Sequence, residues 1–593
     1  MKPLIALLLC CVCVPAFGQM GASLCPPESA TYAAVQSGSW QDAATWTDGT
    51  VPVAGEKVYI PPGIKVTNHA TTADVLWIHA AGTLDVCEHC DTQINVHTIY
   101  VPMGGAVHLG KPGMPVTATA VVEFLPDTFL GGDWSKLSRG LVCHGEFMSH
   151  GREKTAWEDV DGDLAVAATT LKLRTVPRAW KVGDRILIAG TNRYPVGSGQ
   201  PDGPQSEFRV ITAVDGRTIT FDQPLQFRHF RWKLDVPFHC ANLSRNIVIR
   251  SRDTSTIDNR GHLMFMSSTN DIRYTLIEGL GRTDKQQPVT DPRFDVWGEL
   301  IAGSDANPRG RYSDHVHKAG PLSATSIRKG NVIDGSPGWG MVNHASNCEW
   351  DECITIRCVG FGAGTEEGQE RGHIRRHLSA LNINPNRNSP AGFGDWGKLG
   401  DGIWLQGGLV EVDDVVCFDN SNAGVHVFNE PLNGYPDYSH TGTPAYLQFP
   451  IEHVAGLLDP DIYSTNVPTD QVPASSIRRL NCYGNAWGGL AVWHGHVSNF
   501  AVPTTIRGQF RDIVAWGAAT APQVNLEYGS NTDVTDVRVI GDDGINPAYQ
   551  SITKRSDPVH LAAPNVTIRG LSIEGMQKPI FDPKPGNNHV IEN

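Results

Sequence analysis

The sequence predicts an all-β chain whose larger part is a right-handed parallel β-helix. Three observations lead there. Short apolar–polar alternating runs recur between glycine- and asparagine-containing turns, while helical periodicity is scarce and Gly (62) and Pro (39) are abundant. An Ile-Arg dipeptide inside a β-rich run returns at Ile249-Arg250, Ile272-Arg273, Ile327-Arg328, Ile356-Arg357, Ile477-Arg478, Ile506-Arg507 and Ile568-Arg569. Several are followed by a turn and a second apolar run, as in Gly340-Met341-Val342, Gly424-Val425-His426-Val427 and Gly489-Leu490-Ala491-Val492, and self-similarity at roughly 20 to 30 residues marks a solenoid.

Bulk properties bound the rest. At 593 residues the chain exceeds one hydrophobic core, and 40% hydrophobic with 19% charged residues is a globular composition. Met1-Lys2, the apolar run Leu4 to Val14 and the small residues at Ala16 to Gly18 have the three zones of a secretory signal peptide, so residues 1–18 are expected to be a leader. No later run reaches the ~20 apolar residues of a membrane span, and a soluble secreted, periplasmic or extracellular protein without a membrane anchor is expected. Cys10, Cys11 and Cys13 leave with the leader; ten cysteines remain, expected as disulfides or buried thiols. Cys87-Glu88-His89-Cys90 has no second C-x-x-C partner, which favours disulfides, with Cys25 a candidate partner, over a zinc knuckle. The net charge of -14 argues against whole-molecule attraction to a polyanion, nucleic acid included, so an anionic substrate would need local basic patches.

In chain order, residues 25–150 hold Lys57-Val58-Tyr59-Ile60, Val75-Leu76-Trp77-Ile78, Gly82-Thr83-Leu84-Asp85-Val86, Ile94-Asn95-Val96 and Ala106-Val107-His108-Leu109-Gly110, evenly spaced strands expected as stacked coils or a small sandwich. The tryptophan pair Trp40/Trp46, Val51-Pro52-Val53-Ala54-Gly55 and the later G-x-L and G-G-x-x-x-x-G segments together resemble the G-eight (G8) domain of secreted and cell-surface proteins. Residues 155–238, with Leu171-Lys172-Leu173, Arg185-Ile186-Leu187-Ile188, Phe208-Arg209-Val210-Ile211 and an Asp215-Gly216 turn, read as a small all-β module without catalytic residues. Residues 240–593 carry the β-helix, interrupted near 430–470 by a Pro-, Tyr- and Asp-rich segment expected to loop over one face.

The chemistry concentrates between Arg311 and Arg376. Counting four residues on from Gly340, Gly362, Gly424 and Gly489 reaches His344, Glu366, Phe428 and Trp493; residues in one register on successive coils stack at about 4.8 Å, which makes His344 and Glu366 lateral neighbours. His315 and His317 share a strand face, and His317 precedes His344 by 27 residues, about one coil. Such a set either holds a divalent metal, calcium or a transition metal, through His315, His317, His344 and Glu366, or supplies an imidazole–carboxyl acid and base for a glycosidic bond. Singly, each of these histidines reads as a hydrogen-bonded structural residue; the clustering favours a site. Glu366 and Glu367 are adjacent and cannot both face one cleft from a regular strand. Glu370 completes the carboxylate group. Arg371, Arg375 or Arg376 would grip a uronate carboxylate through two parallel bonds, or form a solvated edge. Trp404, Trp487 and Trp493 are candidate sugar platforms or core aromatics.

His262, the His315-x-His317 pair, His344, Thr365-Glu366-Glu367-Gly368-Gln369-Glu370-Arg371 and Trp404 occur in an order similar to that of the cell-migration-inducing hyaluronidases and the related transmembrane hyaluronidase, over most of residues 35–430. The family pattern has Asp where Glu367 stands, and the cysteine positions differ. The resemblance implies a G8 domain joined to a parallel β-helix, hyaluronan degradation, and calcium dependence of the transmembrane member. The resulting expectation is an exported glycoside hydrolase, hyaluronidase-like, acting on an extracellular anionic polysaccharide. In it Glu366 or Glu370 is acid or nucleophile, the histidines position reacting groups or a metal, and Arg371 and Arg375 bind carboxylates. The alternatives are a polysaccharide lyase acting on uronate glycans and a non-catalytic glycan-binding or adhesion protein.

Overall fold

The computed structural model describes residues 24–191, 203–231, 235–319, 324–366, 368, 370–384, 397–406, 409–428, 448–450, 466–468, 476–494, 507–516, 523–526, 532–540, 559–561, 565–574 and 589–592. The expected leader, Glu367 and most of the expected 430–470 loop lie outside these residues, as does the side chain of Trp493. Regular structure among them is strand, apart from short 3-10 turns such as Pro27–Ser29. None contains a helix long and apolar enough to cross a membrane.

The chain winds into parallel coils whose strands stack in three ladders. The first runs through Lys57–Ile60, Gly140–Cys143, Leu263–Phe265, Asp314–His317, Met341–His344, Ala363–Thr365, Ile403–Leu405 and Val425–Phe428. The second includes Asn270–Arg273, Thr325–Lys329, Asn347–Asp351 and Arg371–Arg375, and the third Ile247–Ser251, Thr275–Glu278, Val332–Asp334 and Ile354–Ile356. Alternation decides which side chains enter the tube. In Ile247–Ser251, Ile247 and Ile249 are buried in the core while Val248 and Arg250 face outward.

The coils do not begin near residue 240. Gly140–Cys143 pairs with Thr98 to Val101 on one side and with Leu263–Phe265 on the other, so the first 150 residues are the leading coils of the same β-helix and not a sandwich. The intervening antiparallel module is an insertion: a six-stranded sheet running from Trp157–Asp159 to His239–Asn242. Its apolar face, with Ile186, Phe238 and Ala241, closes one core with Leu276, Val332, Ile354, Leu378 and Phe418 on the outside of the third ladder. Trp157 Nε1 donates to the Arg376 carbonyl at 2.9 Å, and the Arg376 guanidinium lies 4.8 Å from the Trp157 ring centre. That side chain also pairs with Asp414 and Glu352, so Arg376 helps dock the insertion.

Cys87 and Cys90 form a disulfide with each other, whereas Cys25 is a buried free thiol, as are Cys143, Cys240, Cys348, Cys353, Cys358, Cys417 and Cys482. Both expected states of the ten cysteines therefore occur, the fold burying eight as small core thiols, while Cys25 is not a partner of Cys87 or Cys90.

A glycine column marks the entry to the first ladder. A Cβ on Gly340 would stand 2.3 Å from the Gly362 carbonyl oxygen, and one on Gly402 2.4 Å from that of Gly424. The coil beginning at Gly402 falls between the Gly362 and Gly424 coils, since Ala363 pairs with Ile403 and Ile403 with Val425; spacing alone passed over it.

Candidate functional site

The site is built on the outward face of the first ladder. Strand Asp314–His317 turns Val316 into the tube, so His315 and His317 point out. Register pairs His317 with His344 on the next coil, and Asn343 with Thr365 on the one after. Glu366 then donates its backbone N–H to the Asn343 carbonyl at 3.1 Å, continuing the ladder by one residue and setting its side chain beside His344.

Four polar atoms converge. His317 Nδ1 lies 2.9 Å from His344 Nδ1, His344 Nδ1 lies 3.2 Å from Glu366 Oε2, and His315 Nε2 lies 3.4 Å from the same oxygen. The His315 and His344 rings are stacked at 5.7 Å with an 8° interplanar angle, and His317 meets both edge-on. His315 is fixed from behind, its Nδ1–H donating to the Gly310 carbonyl at 2.8 Å, which leaves Nε2 as the free lone pair of that tautomer. The cluster is buried except at His317, which is half-buried: His315 is 1% and Glu366 3% exposed, and His315 Nε2 and Glu366 Oε2 make no hydrogen bond among the described residues.

Burial by itself would push the Glu366 carboxyl up, but the His344 and His315 imidazoles outweigh it and hold the group well below the usual carboxylate range. Burial, together with His344 and His315, lowers the His317 imidazole far below its ordinary value. Three contacts in the chain His317–His344–Glu366–His315, at 2.9 to 3.4 Å, are near the roughly 3.3 Å that separates ligand atoms about 2.0–2.1 Å from a tetrahedral ion. The three histidines each present a nitrogen within 4.8 Å of the others. These residues therefore fit a divalent metal.

The remaining expected residues are placed differently. Glu370 is 1% exposed and accepts from the Ala345, Glu366 and Gly368 backbone amides at 3.1, 3.2 and 2.6 Å. It therefore pins the turn that presents Glu366. Arg371 opens the second-ladder strand at the corner next to this turn, and its Nε and Nη2 are buried without a hydrogen bond among the described residues. Arg375 lies about 13 Å further along that strand at strand rise and faces Glu411 at 3.4 Å, so it does not join the cluster. Trp404 is 3% exposed and stacked on Phe428 at 4.8 Å, its Nε1–H donating to Gln406 at 3.2 Å; it is a rung of the aromatic ladder Tyr312–Trp339–Phe361–Trp404–Phe428 and not an open sugar platform. Trp487 is half-buried in a turn. His262 is fully buried and donates Nδ1–H to the Arg139 carbonyl at 3.2 Å.

A second buried histidine–carboxylate pair, not evident from the four-residue spacing, lies further along the ladder. His426 lies one coil beyond Trp404 in register, and its Nδ1 is 3.2 Å from Asp401 Oδ1, both side chains fully buried. Its signal was there: His426 follows Gly424 by two residues, as Val342 follows Gly340.

Comparison with known proteins identifies part of the chain. Residues 45–161 match the G8 domain, and the chain carries that domain. A G8 domain-containing protein of Dictyostelium discoideum is 22% identical over 87% of this chain and 40% of its own length; a second from that organism is 24% identical over 65% of this chain and 25% of its own. The chain thus spans less than half the length of these relatives. Among solved structures, the tailspike protein gp49 of Pseudomonas phage LKA1 aligns over 87% of this chain and 75% of its own at 12% identity and a TM-score of 0.19. A chain titled glycoside hydrolase aligns over 89% of each at 10% identity and a TM-score of 0.24.

Proposed function

We propose that this chain, a G8 domain forming the leading coils of a parallel β-helix, is an exported metal-dependent carbohydrate-active enzyme that hydrolyses an anionic polysaccharide such as hyaluronan. The observation that carries the reading is the convergence of His315 Nε2, His317 Nδ1, His344 Nδ1 and Glu366 Oε2, buried except at His317, two of these atoms lacking any hydrogen bond among the described residues. These four residues would hold the ion. A divalent metal there supplies Lewis-acid polarisation of a substrate oxygen or of water. Glu370 keeps the Glu366 carboxylate aimed at the histidines, and Gly310 keeps His315 in the tautomer whose Nε2 is free. Arg371, at the corner beside the cluster, offers a guanidinium to a uronate carboxylate, which an acidic chain needs in order to attract such a polymer locally. The leader-like first residues and the Cys87–Cys90 disulfide support export.

The test is incubation of the purified protein with hyaluronan, chondroitin and neutral glycans, with and without chelation and re-addition of zinc, calcium or manganese. Metal-restored shortening of an anionic chain is expected, lost in His344→Ala and Glu366→Ala. A product absorbing in the ultraviolet would move the reaction to elimination, and no shortening of any glycan under any metal would refute the enzyme reading in favour of a binding protein.

A further inference from the structure

A pocket of about 450 Å³ opens on a different ladder from the histidines, at the ends of third-ladder strands where the insertion's edge reaches them through Arg185 and Phe208. Arg250, Glu278 and Asp334 follow one another in outward register there, joined by Arg357 from the next turn and by Arg260 from the excursion between Ile247–Ser251 and Leu263–Phe265. Every lining residue is charged, hydroxylated or glycine. That volume is within the range of small-molecule sites and well beyond a bare ion, and such walls suit a polyhydroxylated ligand.

The charges are unevenly matched. Asp334, whose side chain is 0% exposed, is consumed by Arg357 at 2.5 Å and Arg185 at 3.1 Å. Glu278 is paired with Arg185 at 2.8 Å but keeps 34% of its side chain exposed, and Arg250 is paired with Glu123 at 2.8 Å while remaining 41% exposed. Among the described residues Arg260 has no carboxylate partner: its Nη1 donates to the Gly335 carbonyl at 2.7 Å, and its Nε is buried without a hydrogen bond. One guanidinium is therefore left over beside two others with open edges, and Glu278 is available to accept from hydroxyls.

We infer that this pocket binds a carboxylate-bearing sugar unit, its carboxylate on Arg260 and its hydroxyls on Glu278 and Arg250. The inference takes its ligand class from the anionic-polysaccharide reading and gives that polymer a second point of attachment, away from the histidine cluster. Guanidinium–carboxylate pairing supplies the specificity for acid over neutral sugar.

Titration calorimetry on the full chain with sodium glucuronate, glucose and sodium sulfate tests it. Glucuronate should bind, with glucose undetected at the same concentration and sulfate at least about tenfold weaker; Arg260→Gln, which strands no carboxylate, should weaken glucuronate about ten- to a hundred-fold. Should Arg260→Gln not fold, Thr254→Trp, on an exposed part of the rim, blocks the pocket with its charges intact and should abolish binding. Glucuronate binding that survives His344→Ala with turnover gone, or is seen in a protein that cleaves no glycan, supports the pocket independently of the catalytic reading. Binding unchanged in Arg260→Gln or Thr254→Trp, equal binding of glucose or sulfate, no binding of glucuronate, or its loss in His344→Ala would overturn it.

Discussion

Directly beneath the histidine strand lies a charge pair inside the tube. The interior register of the first ladder reads Leu141, Leu263, Asp314, Met341, Ala363 and Ile403, and that of the second reads Ile272, Arg328, Trp350 and Ile374. Asp314 and Arg328 thus interrupt two apolar columns and meet each other, Nε to Oδ2 at 2.6 Å and Nη2 to Oδ1 at 2.8 Å, with Arg328 0% and Asp314 2% exposed. The third nitrogen, Nη1, donates to Asn270 Oδ1 at 2.6 Å. Replacing Arg328 with Met leaves a carboxylate in a dry core and should cost about 3–5 kcal/mol, and Asp314→Leu should cost about as much by orphaning the guanidinium. The double variant restores both columns and should lie between wild-type stability and about 1–4 kcal/mol above it, less the loss at Asn270. Urea denaturation of the four proteins, followed by tryptophan emission, measures the coupling. Two single variants as stable as wild type, or a double variant no better than either single, would refute the claim that these charges are held by each other in a water-free interior.

Other outcomes follow from the same geometry. Glu370→Ala releases the three backbone amides that aim Glu366, and should weaken cobalt or zinc binding by about ten- to a hundred-fold in a chelator competition; unchanged metal affinity with lost turnover would make Glu370 a reacting group instead. His108 is clamped between Asp85 at 2.7 Å and Glu146 at 2.6 Å, and although burial lowers its pKa these hydrogen bonds raise it above the ordinary imidazole value, while Asp85 is drawn down to about 2 against burial by His108 and Lys65. A raised folded-state imidazole pKa stabilises fully below the unfolded value of about 6.5 and ceases to do so as pH rises through the folded value, so the melting midpoint should fall on going from pH 6 to 9, and fall less in His108→Gln. Gly340→Ala places a methyl 2.3 Å from the Gly362 carbonyl oxygen, forcing the Met341–His344 strand off its neighbour; a cost of about 1–3 kcal/mol and weaker metal binding are expected, against no change if that entry is slack.

Much of the fold is legible in the sequence. Period-two runs between glycine turns fixed strand as the local state, and the coil-length spacing of His317, His344 and Glu366 put imidazoles and a carboxylate side by side, because parallel coils of nearly equal length bring equal offsets into one register. The Gly-to-site offset carried the same information, with one coil, that of Gly402, missed for want of a matching motif. Residue type alone misread Trp404 and Arg375, since burial and partner choice depend on which neighbouring coil lies alongside.

The Ile-Arg repeat draws the line between sequence and tertiary structure most clearly. Read locally, each isoleucine points in and each arginine out, and Ile272-Arg273 and Ile249-Arg250 obey. At Ile327-Arg328 the ladder pairs Ile272 with Arg328, one residue out of phase, so the arginine enters the tube and the isoleucine is left partly exposed. The chain by itself determined strands, coils and the residue types that converge; pairing register, which only the stacked coils set, decided which faces they show, because a strand's side chains exchange sides with every single-residue shift.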